Sequence, residues 1–394
     1  MPSFSLLSPL LHGALLPALA CYWLLLKPDR RPLFLTLFSC LLLAAASPVF
    51  FLYTVVVAWI IARLKPGESQ LGTIVIGIGV GVVTILCWKY IVGFYLESAL
   101  EFSDFRVLFS LFGVSYMALR IVSLLISVRN GETGKIDFLE CLNFLCFFPT
   151  LSAGPLESIR GFREGYSRHF DRDLFRRSIY LVLLGLFKKL VVVNALFAEF
   201  FGSEISLFIA ANGPPAESYS TFEIFLLSML LFLKAFLDIS AYTDLALGFA
   251  GLFGYRIIND VRYPLISIDL GDFWRRWHIS VMRWCQTYIY FPVYFWRRNM
   301  TLATFSSLVV MGIWHHVELK WLCWGLYQAA GLTVLQYWNR FKAHYRYPES
   351  ETLKRLHAVN GSILTFLFAS MAFLFMGPET FSRSMQLFSA FFGF

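Results

Sequence analysis

Residues 222–255, FEIFLLSMLLFLKAFLDISAYTDLALGFAGLFGY, form an apolar run longer than a bilayer-spanning helix needs. Charge enters this run only at Glu223, Lys234, Asp238 and Asp244. The whole chain has the same character, since 58% of its 394 residues are hydrophobic and only 15% are charged. An ordinary soluble domain has about 25% charged residues. The composition therefore predicts a membrane protein and excludes a soluble cytosolic enzyme, a nucleic-acid-binding protein and a disordered scaffold.

Further uncharged or nearly uncharged runs follow along the chain, and each is a candidate span because about 20 mainly apolar residues cross a bilayer. The run 32–62 is broken by Ser47 and Pro48 and predicts two segments. Together the runs predict one all-α polytopic membrane domain over residues 1–394, with roughly nine to eleven transmembrane helices plus short re-entrant or interfacial helices. The other candidate spans are 1–26, 69–88, 107–127, 178–198, 299–317, 321–339 and 356–378.

Loop charges predict the orientation of the chain. The loop 203–220 has no Lys or Arg, whereas 155–177 contains six arginines and 340–355 contains five Lys or Arg residues. By the positive-inside rule, the first loop faces outward and the other two face the cytoplasm. The seven cysteines include no CxxC pair, so no metal site is predicted.

Charged residues inside a span are candidates for function, because each costs about 2.5–3.5 kcal/mol at mid-helix. Lys234 and Asp238 are four residues apart and share a helix face, which favours a mutually neutralising pair. Asp244 has no partner within a turn of its own helix, so another helix must supply one.

The densest group of polar residues is residues 272–280, DFWRRWHIS. Gly271-Asp272 is typical of a helix N-cap, and Trp274 and His278 are spaced to share one helix face. An interfacial amphipathic helix explains the arginines and tryptophans of this stretch. It does not explain the histidine.

A second histidine site, Trp314-His315-His316, ends the apolar run 299–317. His278 and His315 are 37 residues apart, so they meet only if separate elements converge. A buried, neutral imidazole can take a proton from an alcohol, because histidine titrates near neutral pH.

These residues, in this order, resemble the membrane-bound O-acyltransferase (MBOAT) family, and most closely its bacterial branch that acylates cell-envelope polymers, of the alginate O-acetyltransferase and teichoic-acid D-alanyl transfer type. Residues 272–280 match the family's D-F-W-R-R-W-H-I-S, and Trp314-His315 is similar to its W-H-G. Residues 148–155, FPTLSAGP, resemble F-P-x-x-x-A-G-P, and residues 240–248, SAYTDLALG, resemble S-G-Y-S-D-x-A-x-G. Two departures are His316, in the place of the usual glycine, and Gln328, where many relatives have a later histidine.

The resemblance implies an MBOAT-like catalytic core over about residues 145–330, with His315 as the catalytic base and His278 as a second, supporting histidine. It implies transfer of an acetyl or D-alanyl-like group to a hydroxyl of an extracytoplasmic envelope polysaccharide or teichoic acid. The implied donor is a cytoplasmic thioester, either acetyl-CoA or an acyl or D-alanyl carrier protein, and no tightly bound cofactor is implied. The implied setting is the lipid bilayer of the bacterial inner (plasma) membrane, with a periplasmic or extracellular partner transferase left open. Supporting or substrate-binding roles fall to Ser240, Tyr242, Asp244, Trp274, Arg275, Arg276, Trp277 and Trp314.

Two other classes of protein stay open at this point. A transporter or flippase for a lipid-linked envelope sugar would use Lys234, Asp238 and Asp244 to line its path. A non-catalytic scaffold would use the histidines as structural hydrogen-bonding residues.

Overall fold

The computed structural model describes residues 6–65, 113–344 and 350–393, apart from residues 8 and 153. All regular elements in these ranges are helices, which confirms the all-α fold class. The candidate span 69–88 lies outside the described residues, so the number of spans stays a prediction. Three helical stretches of the described chain are long and apolar enough to cross a membrane: Arg172–Ile209, Thr221–Leu252 and Glu351–Met376. Shorter apolar helices are Leu11–Leu25, Pro48–Ala62 and Met300–His315.

The first of two compact units comprises Met1–Leu186 and Tyr242–Asn259. The predicted break at Ser47-Pro48 is confirmed, because Ser47 is extended and Pro48 opens the next helix, where its missing N–H costs nothing. Besides the last turns of Thr221–Leu252, the unit contains the helices Pro9–Ala20, Arg31–Ala46, Pro48–Ala62, Val114–Arg129, Phe138–Cys146, Ile159–Gly165 and Arg172–Leu186.

A buried arginine accounts for one charged interruption of an apolar run. Arg120 is 3% exposed and donates to the backbone carbonyls of Leu145, at 3.4 Å, and Thr150. Leu145 lies in the last turn of helix Phe138–Cys146, and Thr150 ends the short 3₁₀ helix Phe148–Thr150 that follows it in the FPTLSAGP stretch. Backbone groups that lose helical partners at membrane depth must be satisfied within the protein. Arg120 therefore stabilises the junction between these two helices.

Small residues let the end of Thr221–Leu252 pack closely on Arg172–Leu186 within this unit. A Cβ atom on Gly248 would lie 2.7 Å from Val182, and one on Gly251 would lie 2.0 Å from the hydroxyl of Ser178. Glycine at such contacts brings helices together, as is common between membrane helices. The packing fixes the position of Tyr242 and Asp244, which lie on the same helix.

The second compact unit comprises Phe187–Ala241 and Asp260–Phe394. Two π-helical segments, Phe187–Phe197 and Gln286–Tyr290, continue directly into the helices Ala198–Ile209 and Phe291–Arg297. Besides most of Thr221–Leu252, the unit contains Ala198–Ile209, Leu270–Arg276, Ile279–Cys285, Phe291–Arg297, Met300–His315, Leu319–His344, Glu351–Met371, Phe373–Met376 and Phe381–Phe392.

The predicted ion pair between Lys234 and Asp238 is wrong. Asp238 pairs with Lys189, and the neighbouring Lys188 donates to the hydroxyl of Ser240 at 2.8 Å. Lys234 is exposed. Lys188 and Lys189 interrupt the apolar run 178–198. They lie in Phe187–Phe197, which places their ammonium groups beside Asp238 and Ser240 of Thr221–Leu252. The result is a structural contact between two helices.

Helices Met300–His315 and Leu319–His344 form a tight antiparallel hairpin. A Cβ atom on Gly312 would lie 2.3 Å from the carbonyl oxygen of Trp321, and one on Gly325 would lie 2.7 Å from that of Leu308. Only glycine allows backbone to approach backbone this closely. The hairpin therefore holds the last residue of its first helix, His315, beside the first turns of the second.

Candidate active site

The DFWRRWHIS stretch forms two short helices with a break at His278. The first helix, Leu270–Arg276, is capped by Asp269, whose carboxylate accepts from the amide of Asp272 at 2.7 Å. The prediction that Asp272 is the N-cap is therefore wrong. His278 has a φ of 48°, a left-handed conformation that ends one helix before the next begins. Because of this break, the prediction that Trp274 and His278 share a helix face is also wrong, although both line one cavity.

Asp272 instead fastens the first helix internally. One of its oxygens accepts from the side chain of Arg276 at 2.9 Å, and the other accepts from the amide of Ile268 at 3.3 Å. The side chain of Arg275 is 68% exposed and lies 3.7 Å from the same carboxylate. These contacts favour a structural role for the two arginines over contact with a substrate.

A buried carboxylate holds His278. Asp260 is 2% exposed, and its Oδ2 lies 2.7 Å from Nδ1 of His278. Its Oδ1 accepts from the amide of Ser280 at 2.6 Å, and its backbone carbonyl accepts from the amide of Ile279. These bonds fix both the ring and the unusual backbone conformation at His278.

The charges around Asp260 favour its ionised form. Burial by itself raises the pKa of this carboxyl, but the His278 ring and the hydroxyl and amide of Ser280 outweigh it and hold the pKa below its ordinary value. An ionised carboxylate only accepts hydrogen bonds, so Nδ1 of His278 carries a proton. Whenever the ring is neutral, Nε2 is its accepting nitrogen.

Sequence reasoning missed Asp260. The available signal was a carboxylate, in Asn259-Asp260, in the segment that joins the apolar helix Thr221–Leu252 to the DFWRRWHIS stretch. A carboxylate in such surroundings is expensive unless it is paired. The partner could not be identified because it lies 18 residues away along the chain.

His315 lies among indole rings at the end of its helix. Its ring stacks on Trp321, with centroids 4.9 Å apart and planes at 22°, and meets Trp324 edge-on at 5.7 Å. The ring of Trp314 lies 4.7 Å away. The ring centroids of His278 and His315 are 6.2 Å apart. The structure thus brings the two sequence-predicted histidines together from separate elements.

Both histidines line a small, mainly apolar cavity of about 60 Å³. Met311, Ala369 and Ala372 supply aliphatic wall, and Phe273 with three tryptophans supplies aromatic wall. The predicted residues that line the cavity are Trp274, Trp277, His278 and His315.

Two buried polar atoms in this cavity have no hydrogen-bond partner among the described residues. They are Nε1 of Trp274, a donor, and Oε1 of Gln328, an acceptor, on side chains that are 4% and 3% exposed. A buried polar group without a partner costs about 1–3 kcal/mol. One donor and one acceptor are therefore held unpaired in the walls of the cavity.

The other predicted residues are not among those that line the cavity. Ser240 accepts from Lys188, and Tyr242 bonds to the hydroxyl of Ser152 in the first unit, to which Asp244 also belongs. His316, next to His315, points its Nδ1 toward Glu318 at 3.0 Å. In the described ranges, no group of three or more His, Cys, Asp or Glu side chains is arranged to hold a metal ion.

One buried imidazole, His278, which is anchored by a carboxylate, and one half-buried imidazole, His315, line the same apolar cavity of a chain rich in apolar helices. A family model described as MBOAT, membrane-bound O-acyltransferase family, matches residues 74–377. The chain therefore belongs to the membrane-bound O-acyltransferase family, and it is an acyltransferase.

Relatives of this chain act on envelope polymers, as their names state. The chain is 24% identical to the teichoic acid D-alanyltransferase of Bacillus subtilis, over 70% of each protein. It is 25% identical to the probable alginate O-acetylase AlgI of Pseudomonas fluorescens, over 56% of this chain and 44% of that protein. It is 25% identical to the peptidoglycan O-acetyltransferase of Helicobacter pylori, over 64% of this chain and 46% of that protein. The chain spans less than half the length of these last two relatives.

Proposed function

We propose that the protein transfers a short acyl group from a thioester to a hydroxyl of a bacterial cell-envelope polymer, with His315 as the general base. The observation that carries the proposal is the meeting of His278 and His315, 6.2 Å apart, in one apolar cavity. The similar proteins are named for modifying teichoic acid, alginate and peptidoglycan, which supports an envelope polymer as the acceptor.

The reaction needs a base, because a neutral alcohol is a poor nucleophile. The alcohol oxygen attacks the thioester carbonyl carbon while its proton passes to His315. The C–S bond then breaks, and the proton returns to the thiolate that leaves. A positioned base contributes about 10²–10⁴ in rate. An apolar cavity also keeps out water, which would hydrolyse the thioester.

The unpartnered polar atoms suit the reactants of this step. The indole N–H of Trp274 can donate to the thioester carbonyl oxygen, where negative charge develops during attack. The amide oxygen of Gln328 can accept from the alcohol O–H or from an amino group on the acyl chain. The two groups would orient donor and acceptor before proton transfer.

The size of the cavity favours a short acyl group. A water-sized group needs roughly 10–15 Å³ of such volume, so the cavity of about 60 Å³ holds about four to six of them. An acetyl or aminoacyl group fits this space, whereas a fatty acyl chain does not.

The proposed setting is the bacterial plasma membrane, crossed several times by this chain. The donor is a cytoplasmic thioester, acetyl-CoA or an acyl or D-alanyl carrier protein, and the thioester itself supplies the leaving group without a bound cofactor. A periplasmic or extracellular partner transferase belongs to the same proposal, as the protein that hands the acyl group to the polymer.

The Asp260–His278 contact supports a second assignment of the base. A carboxylate at Nδ1 prepares Nε2 of an imidazole to accept a proton, as in other hydrolases and transferases. In this assignment His278 is the base, and His315 orients one reactant. The Asp260→Asn variant distinguishes the two assignments by the size of its effect on the rate of transfer.

The transporter and scaffold alternatives have less support. Asp238, assigned to a translocation path, is neutralised by Lys189, and family membership is with acyltransferases. A scaffold does not need two polar atoms held without partners in a cavity beside two histidines.

The test is acyl transfer by the purified full-length protein in liposomes, with labelled acetyl-CoA or labelled D-alanyl carrier protein and teichoic acid or polysaccharide as acceptor. His315→Ala is expected to abolish transfer and thioester turnover without changing the elution volume or thermal midpoint. His316→Ala is the matched control, because it removes the adjacent imidazole, which pairs with Glu318 outside the cavity. Wild-type transfer by His315→Ala would remove this residue from the mechanism, and sugar flux without acyl transfer would favour the transporter.

A further inference from the structure

A second cavity lies in the second unit, at the first turn of helix Met300–His315. It has a volume of about 330 Å³ and is lined mainly by polar groups. At 1.5 Å of rise per residue, the two ends of this 16-residue helix are roughly 22 Å apart. The cavity is therefore separate from the histidine cavity at the other end of the helix.

Three arginines dominate this second cavity, and they come from two elements. Arg297 and Arg298 precede Met300–His315, and Arg340 lies near the end of Leu319–His344. Arg340 also donates to the sulfur of Met300, which ties the two helices together at this point. The packing of the two hairpin helices therefore holds the three guanidinium groups around one cavity.

Aromatic rings support the three guanidinium groups from one side. Stacking uses the face of a guanidinium and leaves its N–H edge directed outward for an anion. The Cζ atoms of Arg297, Arg298 and Arg340 lie 3.8 Å, 5.6 Å and 5.8 Å from the ring centroids of Trp296, Phe295 and Tyr337, respectively.

Within the described part of the chain, these three arginines have no acidic partner, although they lie close together around one cavity. Among the described residues, no carboxylate forms an ion pair with Arg297, Arg298 or Arg340. By contrast, Arg160 and Arg176 each pair with a carboxylate one turn away. Three unpaired positive charges around one cavity repel each other and attract an anion.

We propose that this three-arginine cavity binds a phosphate group. Guanidinium forks bind phosphate oxygens in pairs, and the hydroxyls of Thr301 and Tyr337, 3.2 Å apart, offer further donors. The loop that begins at Arg340 is predicted to face the cytoplasm. Exposed Trp296 and Trp338 beside the cavity are typical of the level of lipid headgroups.

Two sources of phosphate meet at this level of the membrane. One is the headgroup of an anionic phospholipid, and the other is a soluble phosphorylated molecule such as coenzyme A. The chemistry of recognition is the same for both, so the experiment has one arm for each. The proposal does not depend on which histidine is the base, or on the acyl group that is transferred.

The lipid arm measures binding of phosphatidic acid to the full-length protein by native mass spectrometry, with diacylglycerol as the phosphate-free control. The soluble arm measures binding of coenzyme A by thermophoresis in neutral detergent, with pantetheine as the phosphate-free control. The test variant, R297Q/R298Q/R340Q, removes three charges and keeps similar side-chain volume. The matched control, R160Q/R172Q/R176Q, removes the same number of charges from exposed arginines elsewhere.

We expect the test variant to bind at least tenfold more weakly in one arm, and the control variant to change less than twofold. Loss in the lipid arm assigns the cavity to a headgroup, and loss in the soluble arm assigns it to a phosphorylated solute. Unchanged binding in both arms, or an equal loss in the control variant, overturns the proposal. If the triple variant does not purify as a single species, R340Q alone serves in its place, with an expected loss of at least threefold.

Discussion

Replacing Asp260 with asparagine tests how His278 is held. The carboxylate accepts at 2.7 Å from His278 and at 2.6 Å from the amide of Ser280. The amide of asparagine can keep the bond from Ser280 through its oxygen, but it then presents an NH₂ group to Nδ1. The ring must adopt the other tautomer to accept that bond, so Nε2 becomes a donor.

Two magnitudes follow from this change. If His278 only orients a reactant and His315 is the base, loss of the supporting carboxylate should lower transfer by about 10- to 100-fold, equal to about 1.4–2.7 kcal/mol of barrier. If His278 is the base, the wrong tautomer should cost about 10⁴-fold. Folding stability should fall by about 1–1.5 kcal/mol in both cases, because a charge-assisted hydrogen bond of about 1.5–3 kcal/mol is replaced by a neutral one of about 0.5–1.5 kcal/mol.

The assay is the initial rate of label transfer from the thioester, measured for Asp260→Asn, His278→Ala and the double variant, with thermal midpoints alongside. If the two residues act as one unit, the double variant should be no slower than His278→Ala alone. A wild-type rate in Asp260→Asn would refute the reasoning, because the bond to Nδ1 would then have no part in catalysis.

Gln328→Leu should keep or raise the thermal midpoint, since it removes a buried acceptor without a partner, while transfer falls at least tenfold; lower stability with full activity would contradict the role of Gln328. Gly325→Ala should lower stability by about 1–3 kcal/mol, because its Cβ would lie 2.7 Å from the carbonyl oxygen of Leu308. The control Gly202→Ala, whose Cβ would meet nothing closer than 3.9 Å, should be neutral or stabilising in the same melting experiment. The pKa of Asp260 is below the ordinary 3.8, so this carboxylate stabilises the folded protein above that pH, and its contribution is lost as the pH falls through the folded-state value. The difference in thermal midpoint between wild type and Asp260→Asn should therefore shrink from pH 5 to pH 3, and a difference that grows in acid would contradict it.

Much of the fold follows from local physical chemistry and was accessible from the sequence. Low charge and long apolar runs predict membrane helices, and Pro48 predicts a helix start because its ring fixes φ and it lacks an N–H. The proximity of His278 and His315 was also predictable, because two histidines in apolar surroundings imply a shared polar site. The roles of these residues stay predictions until the variants are measured.

The wrong predictions concern residues for which several partners compete and the three-dimensional structure decides between them. Asp269 and Asp272 are both suited to cap a helix, and the backbone conformation selects the first. Lys234 is one turn away from Asp238 on the same helix, yet Asp238 forms its ion pair with Lys189 from another helix. The left-handed turn at His278 is stabilised by Asp260, and no periodicity in the sequence reveals a bond of that kind.

The glycine contacts of the hairpin also bear on which donors the enzyme accepts. The helices Met300–His315 and Leu319–His344 are in direct backbone contact at these glycines, so no side chain can move to change the distance between them. Any adaptability of the cavity must then come from its unbranched thioether side chains, Met311 and Met376. A mutant library meant to change donor preference should therefore vary those two methionines, because the hairpin keeps the distance between its helices constant.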